Sequence, residues 1–137
     1  MRYMIIVKGS RDSEAGVMPE EKLIAAMTTY HEELVKSGVL LDVSGLQPSS
    51  KGVRVRFSGT KRTVIDGPFT ETKELVAGFW LWRVKSMAEA IEWIKRSPFQ
   101  EGEVEIRQVF EVEDFGPALT PEFREQEARL RAQAKKL

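Results

Sequence analysis

The sequence predicts an α+β fold, and three observations point to it. Short alternating or aliphatic runs of strand length recur along the chain, interrupted by longer segments with helical spacing. The chain has 137 residues, which suits one compact domain with a real core. Hydrophobic residues are 42% and charged residues 31%, a globular balance and not a disordered one.

Met1 to Lys8 holds a short apolar run and reads as a first strand. Gly9 to Gly16 is polar and glycine-flanked, a loop. Pro19 suits the first turn of a helix, with Glu20 and Glu21 at the positive end of its dipole. Leu23, Ile24, Met27, Tyr30, Leu34 and Val35 repeat at helical spacing, and Ser37-Gly38 supplies the stop. The spacing predicts a helix from Pro19 to Ser37. Val39 to Val43 reads as a second strand, and Gly45 to Ser50 as a loop.

Val53-Arg54-Val55-Arg56-Phe57 alternates strictly, as a half-exposed strand does. Ser58-Gly59-Thr60 turns the chain, and Lys61 to Ile65 returns as the other half of a hairpin. Asp66-Gly67-Pro68 breaks the pattern and opens a polar segment to Glu74. Leu75 to Val84 is rich in aliphatic and aromatic residues and reads as a strand buried on both faces. Ser86-Met87-Ala88-Glu89 is a capping box, and its helix presents Met87, Ala90, Ile91 and Ile94 on one face before Ser97-Pro98 ends it. Val104 to Phe110 is a last strand. Thr120-Pro121 starts a charged helix with a thin stripe of Phe123, Leu130 and Leu137. With the hairpin set aside, the first six elements spell βαββαβ, the ferredoxin-like motif. Residues 1–115 form this domain, and residues 116–137 a C-terminal helical extension.

Composition narrows function. Lysine plus arginine and aspartate plus glutamate total 21 each, so the formal net charge is zero and a broad phosphate-binding face is not expected. No nucleic-acid partner and no membrane partner are expected, since no apolar run approaches the roughly 18 residues of a span. A cytoplasmic location is the expectation. Cysteine is absent and His31 is the single histidine, so neither thiolate chemistry nor a multi-histidine zinc site is available. There is no Walker loop, no GxGxxG and no GxSxG elbow. No metal and no cofactor are expected.

Few candidate site residues remain. His31 falls within the apolar arc of its helix. It is either a core-edge histidine bonded to a carbonyl or a general acid/base facing a sheet–helix cleft. Asp66 in Asp66-Gly67-Pro68-Phe69 either bonds its own turn amides or is a carboxylate fixed at a strand end for proton transfer. Glu71, Lys73 and Glu74 are a solvated loop or a clamp for a polar ligand. Trp80 and Trp82 share a strand face with Gly78, as core, dimer interface or an apolar wall; the gap at Gly78 admits a ligand or another backbone. Arg54 and Arg56 share a hairpin face, which is solvated or attracts an anion.

These strings carry a resemblance. The start Met1-Arg2-Tyr3-Met4-Ile5-Ile6, Gly38-Val39-Leu40-Leu41 with Gly45-Leu46-Gln47-Pro48, Asp66-Gly67-Pro68-Phe69 with Glu71-Thr72-Lys73-Glu74, and Gly78-Phe79-Trp80-Leu81 with Glu89-Ala90 and Trp93 resemble the bacterial DGPF-domain proteins of the wider YciI-related family. The resemblance covers Met1 to Phe115. It implies a ferredoxin-like subunit that forms a homodimer through its sheet, as in the dimeric α/β barrel superfamily. It implies a bacterial protein of a family whose function is mostly unassigned. A few relatives are enzymes acting on small, often aromatic molecules, and some sit beside or are fused to sigma-factor-like regulators. The shorter family members carry a first-helix histidine proposed to pair with an aspartate. Counting back from Gly38 places that position at Met27, one turn before His31, so a His31–Asp66 pair would be peculiar to this chain. Asp66 carries over with Gly67, Pro68 and Phe69.

The expectation is therefore a small-molecule-binding protein or a cofactor-independent enzyme of proton transfer, isomerisation or elimination. Its cleft lies near the Asp66–Phe69 loop, with Asp66 and His31 catalytic and Lys73, Glu71, Trp80 and Phe69 contacting substrate. The alternative is a non-catalytic dimeric module that docks on a sigma-factor-like regulatory protein. An open, convergent cavity favours the first reading, and a filled cleft with an exposed apolar patch the second.

Overall fold

The computed structural model describes residues 1–71 and 74–135. Its elements are β1 (Arg2–Lys8), α1 (Arg11–Glu14), α2 (Glu21–Lys36), β2 (Leu40–Gly45), β3 (Val53–Ser58), β4 (Lys61–Asp66), β5 (Val76–Arg83), α3 (Met87–Lys95), β6 (Val104–Gln108) and α4 (Pro121–Ala134). Short 3-10 turns cover Ser49–Lys51 and Val112–Phe115. The main sheet is antiparallel in the order β2-β5-β1-β6, while β3 and β4 form a separate two-stranded ribbon. Without the ribbon this is the βαββαβ ferredoxin-like arrangement, an α+β fold.

Register places the core. Tyr3 lies opposite Trp82, and Ile5 opposite both Trp80 and Ile106. These side chains point to one face, where Tyr30 and Leu34 of α2 and Ala90 and Trp93 of α3 cover them. The Tyr30 hydroxyl donates to the Trp93 carbonyl at 2.6 Å and ties the two helices together. Burial holds the Tyr30 phenol protonated, well above its ordinary range. At β5 the backbone of β2 runs so close that a Cβ on Gly78 would stand 2.7 Å from the Ser44 carbonyl oxygen. The space at Gly78 thus belongs to another backbone.

Several boundaries differ from the sequence reading. Gly9–Gly16 contains helix α1, closed by a reciprocal box in which Ser13 N–H donates to Ser10 Oγ and Ser10 N–H to Ser13 Oγ. Four residues are too few to show apolar periodicity. Pro19 stays in the loop because Glu20 is extended (φ −67°, ψ 153°), so α2 begins at Glu21. At its other end Gly38 adopts φ +72° and Val39 N–H returns to the Leu34 carbonyl, the expected stop. β5 is buried on one face only, through Gly78, Trp80 and Trp82; Phe79 and Leu81 are half-buried because no layer among the described residues covers them. In α3 the large Trp93 indole turns the buried face toward itself, leaving Met87 and Ile91 exposed. Ser86 caps α3 by accepting from Glu89 N–H, while the Glu89 carboxylate accepts from Lys85 N–H. α4 starts at the Thr120 cap as expected and buries no residue; Leu137 of its stripe lies outside the described residues.

Among the described residues, no helix is long and apolar enough to cross a membrane.

Candidate functional site

Asp66 ends β4 and lies opposite Val53 across the ribbon. The next residues fold back onto the turn at Ser49–Lys51. Gly67 N–H donates to the Gly52 carbonyl at 3.0 Å, and Phe69 N–H to Ser49 Oγ at 2.9 Å. Ser49 is held in turn by Glu14, whose Oε2 accepts from Ser49 N–H at 2.9 Å and from the hydroxyl at 2.8 Å. The serine hydroxyl therefore donates to a carboxylate and accepts from an amide, and all three segments are fastened at one side chain. Charge-assisted bonds of this kind are stronger than neutral ones.

The fastened loop walls a cavity of about 370 Å³. The Arg54 guanidinium lies over the Phe69 ring, 3.8 Å from its centroid. Leu46 and Leu75 add apolar surface, and Glu14 and Ser49 line the same space. The site is thus a cation on an aromatic face, beside apolar side chains and a serine–carboxylate pair. Beyond it stands Glu74. A hydrogen bond with Glu71 raises the Glu74 carboxyl above the usual range, opposed by the charges of Arg54 and Lys8. Glu71 is exposed and is not among the residues lining this cavity, and Lys73 lies outside the described residues.

A larger cavity of about 920 Å³ opens on the other side of α1, between the sheet and the helices, with Val7, Leu23, Ile94 and Phe99 among its lining. α1 partitions the two spaces. Glu14 faces the smaller, and Arg11, Asp12 and Ser13 face the larger.

The structure distributes the sequence candidates unevenly. Phe69 is in the smaller cavity, whereas Asp66, His31 and Trp80 line neither space. Asp66 is exposed. Trp80 is buried in the core, its ring 5.8 Å from Trp82 and 5.7 Å from Phe99. Its Nε1–H donates to His31 Nε2 at 2.9 Å, so that nitrogen carries the lone pair and the ring proton sits on Nδ1. Among the described residues, no hydrogen bond joins His31 to Asp66. The two are kept apart because His31 faces the main sheet from α2 while Asp66 belongs to the separate ribbon. Glu14 and Ser49 were not singled out by sequence, since both fall in segments with no periodicity. Among the described residues, no group of three or more histidine, cysteine or carboxylate side chains is placed to hold a metal ion.

A pH dependence follows from the His31 contact. Burial lowers the His31 pKa below its ordinary 6.5, and the Trp80 donor requires a neutral acceptor. The unfolded chain then binds the extra proton first as pH falls. This contribution to stability is full above pH 6.5 and is lost as pH drops through 6.5 toward the folded value. Urea midpoints at pH 7.5 and 5.5 are expected to differ less in His31→Gln than in the parent chain; equal differences would remove this role.

Comparison with known proteins gives three findings. The model of the YCII-related domain matches residues 1–113. An uncharacterized protein of Rhizobium meliloti (strain 1021) is 32% identical over 76 residues, 56% of this chain and 61% of that protein, so the match spans less than two thirds of that relative's length. The solved structure of 5-chloro-2-hydroxyhydroquinone dehydrochlorinase from Burkholderia phenoliruptrix AC1100, in complex with 2,5-dihydroxybenzoquinone, is similar with a TM-score of 0.47 at 15% identity, covering 83% of this chain and 98% of that chain.

Proposed function

The chain belongs to the YCII-related family, and on that premise we propose that it binds a small anionic molecule with an apolar body in the cleft at the Asp66–Phe69 loop. One observation carries this reading: the Arg54 guanidinium stacked on Phe69 inside a cavity that also holds Leu46 and Leu75. Stacking covers the guanidinium face and leaves its N–H edge to meet a carboxylate in bidentate fashion. The apolar neighbours suit an aryl or short alkyl group. The enzyme form of the reading needs a proton-transfer group in the same space, and Glu14 is a carboxylate that lines it. A second copy of the chain is the proposed cover for the open sheet face, where Met4, Ile6, Phe79 and Leu81 stand together.

Thermal shift against a panel of small aryl and alkyl carboxylates tests the binding. At least one member is expected to raise the melting temperature of the parent chain and to lose tenfold or more in affinity with Arg54→Gln, the loss of a charge-assisted pair. No shift with any member, or equal affinity in the variant, would sink the proposal.

A further inference from the structure

The β3–β4 ribbon carries an apolar face that nothing among the described residues covers. Val53, Val55 and Phe57 of β3 and Val64 of β4 point to it, and each is 46% to 68% exposed. The opposite face turns toward the body of the domain, where Arg54 meets Phe69 and Thr63 and Ile65 are half-buried. A two-stranded ribbon with one open apolar face is marginal by itself in water. Its pattern also has a centre. Val55 pairs with Val64 in register, Phe57 with Arg62 at one end, and Val53 with Asp66 at the other. Arg62 and Asp66 lie two residues either side of Val64 and share the apolar face. So the face reads cation, valine, anion along β4, and phenylalanine, valine, valine along β3.

Such a face complements itself. A two-fold axis through the Val55/Val64 pair, lying in the plane of the face and across the strands, places a second ribbon over the first. The strand directions reverse, so residue 62 meets residue 66 and residue 57 meets residue 53. Val64 then meets its own copy, as does Val55. Arg62 of each copy faces Asp66 of the other, giving two ion pairs around an apolar centre. This is an isologous interface in which one patch serves both subunits. The Arg62 side chain is held at its end of the ribbon by bonds from its Nη1 to the Gly59 and Lys61 carbonyls and by its position over the Phe57 ring. Its other N–H groups are left for the carboxylate.

We infer that the ribbon face is a docking surface for a second copy of this chain, packed ribbon on ribbon with Arg62 paired to Asp66 across the two-fold. The ribbon is a different surface from the open face of the main sheet, so the two contacts can coexist. This contact does not depend on the ligand reading, because Arg54 and its cleft lie on the other side of the strands. It gives the exposed Asp66 a binding partner.

The chain has no cysteine, so a single introduced thiol reports the geometry directly. Facing sheets pack roughly 10 Å apart, within reach of a short bis-maleimide. Val64→Cys is expected to form a covalent dimer with this reagent, whereas Lys61→Cys, on the opposite face of the same strand, is not. Adding Arg62→Asp to Val64→Cys sets carboxylate against carboxylate and is expected to cut the yield at least fivefold. Adding Asp66→Arg as well exchanges the two charges and restores it. Val55→Cys repeats the test should the first thiol variant not fold. Linking at Val64→Cys no better than at Lys61→Cys would overturn the inference. So would a charge exchange that fails to restore the yield.

Discussion

Gly67→Ala is expected to lower stability by about 3 kcal/mol, the upper part of the range for overpacking, and to abolish ligand binding at the cleft. An alanine Cβ there would stand 1.8 Å from the Ser49 carbonyl oxygen and 2.7 Å from its carbon. The Gly67 φ is not in the positive region, so contact, and not backbone angle, demands the glycine. The loop must withdraw from the Ser49 turn to relieve the clash. Withdrawal breaks the Gly67 N–H bond to Gly52 and the Phe69 N–H bond to Ser49 Oγ, and it takes the Phe69 ring from beneath Arg54. Guanidinium unfolding of the variant checks the stability, and the carboxylate thermal shift checks the site. A change under about 0.5 kcal/mol would mean the loop relaxes freely and is not the fastened wall described above.

Trp82→Ala is expected to produce the larger loss of stability, about 3–5 kcal/mol. The side chain is fully buried at the centre of the sheet, between β1 and β2 and under the helices. Truncation removes a large ring from close-packed surroundings that refill only in part. Its Nε1–H is buried with no hydrogen-bond partner among the described residues, so Trp82→Phe loses volume but no bond. The phenylalanine variant is therefore expected to retain most of the stability that alanine loses. Urea midpoints of the two variants read this directly; equal losses would place the indole N–H in a bond that matters.

Most of the fold was legible because it follows from periodicity. The Val53–Phe57 alternation of β3, the α2 stripe and the capped start of α3 each write their conformation in a few residue types. What periodicity cannot show is which surface another chain covers. Leu75 to Val84 reads as buried on both faces because Phe79 and Leu81 are as apolar as Trp80 and Trp82, yet the described residues cover only one side. The site was less legible. Asp66 and His31 stand out as chemical types, but hydrogen bonds between distant segments decide their settings. His31 is engaged by Trp80, 49 residues away, and Ser49 by Glu14, 35 residues away. Arg54 was visible as a cation on an alternating strand. Its position over Phe69 depends on the loop folding back across the ribbon, which no local pattern encodes.

A small carboxylate is the proposed ligand of the cleft at the Asp66–Phe69 loop. Backbone amide NMR during titration with whichever carboxylate gives the largest thermal shift tests it most directly. The amides of Ser49, Gly52, Arg54 and Phe69 are expected to move together and saturate with one dissociation constant, while those lining the larger cavity, such as Val7 and Phe99, stay in place. Shifts confined to Val7, Phe99 and their neighbours, with Phe69 and Arg54 unmoved, would contradict it.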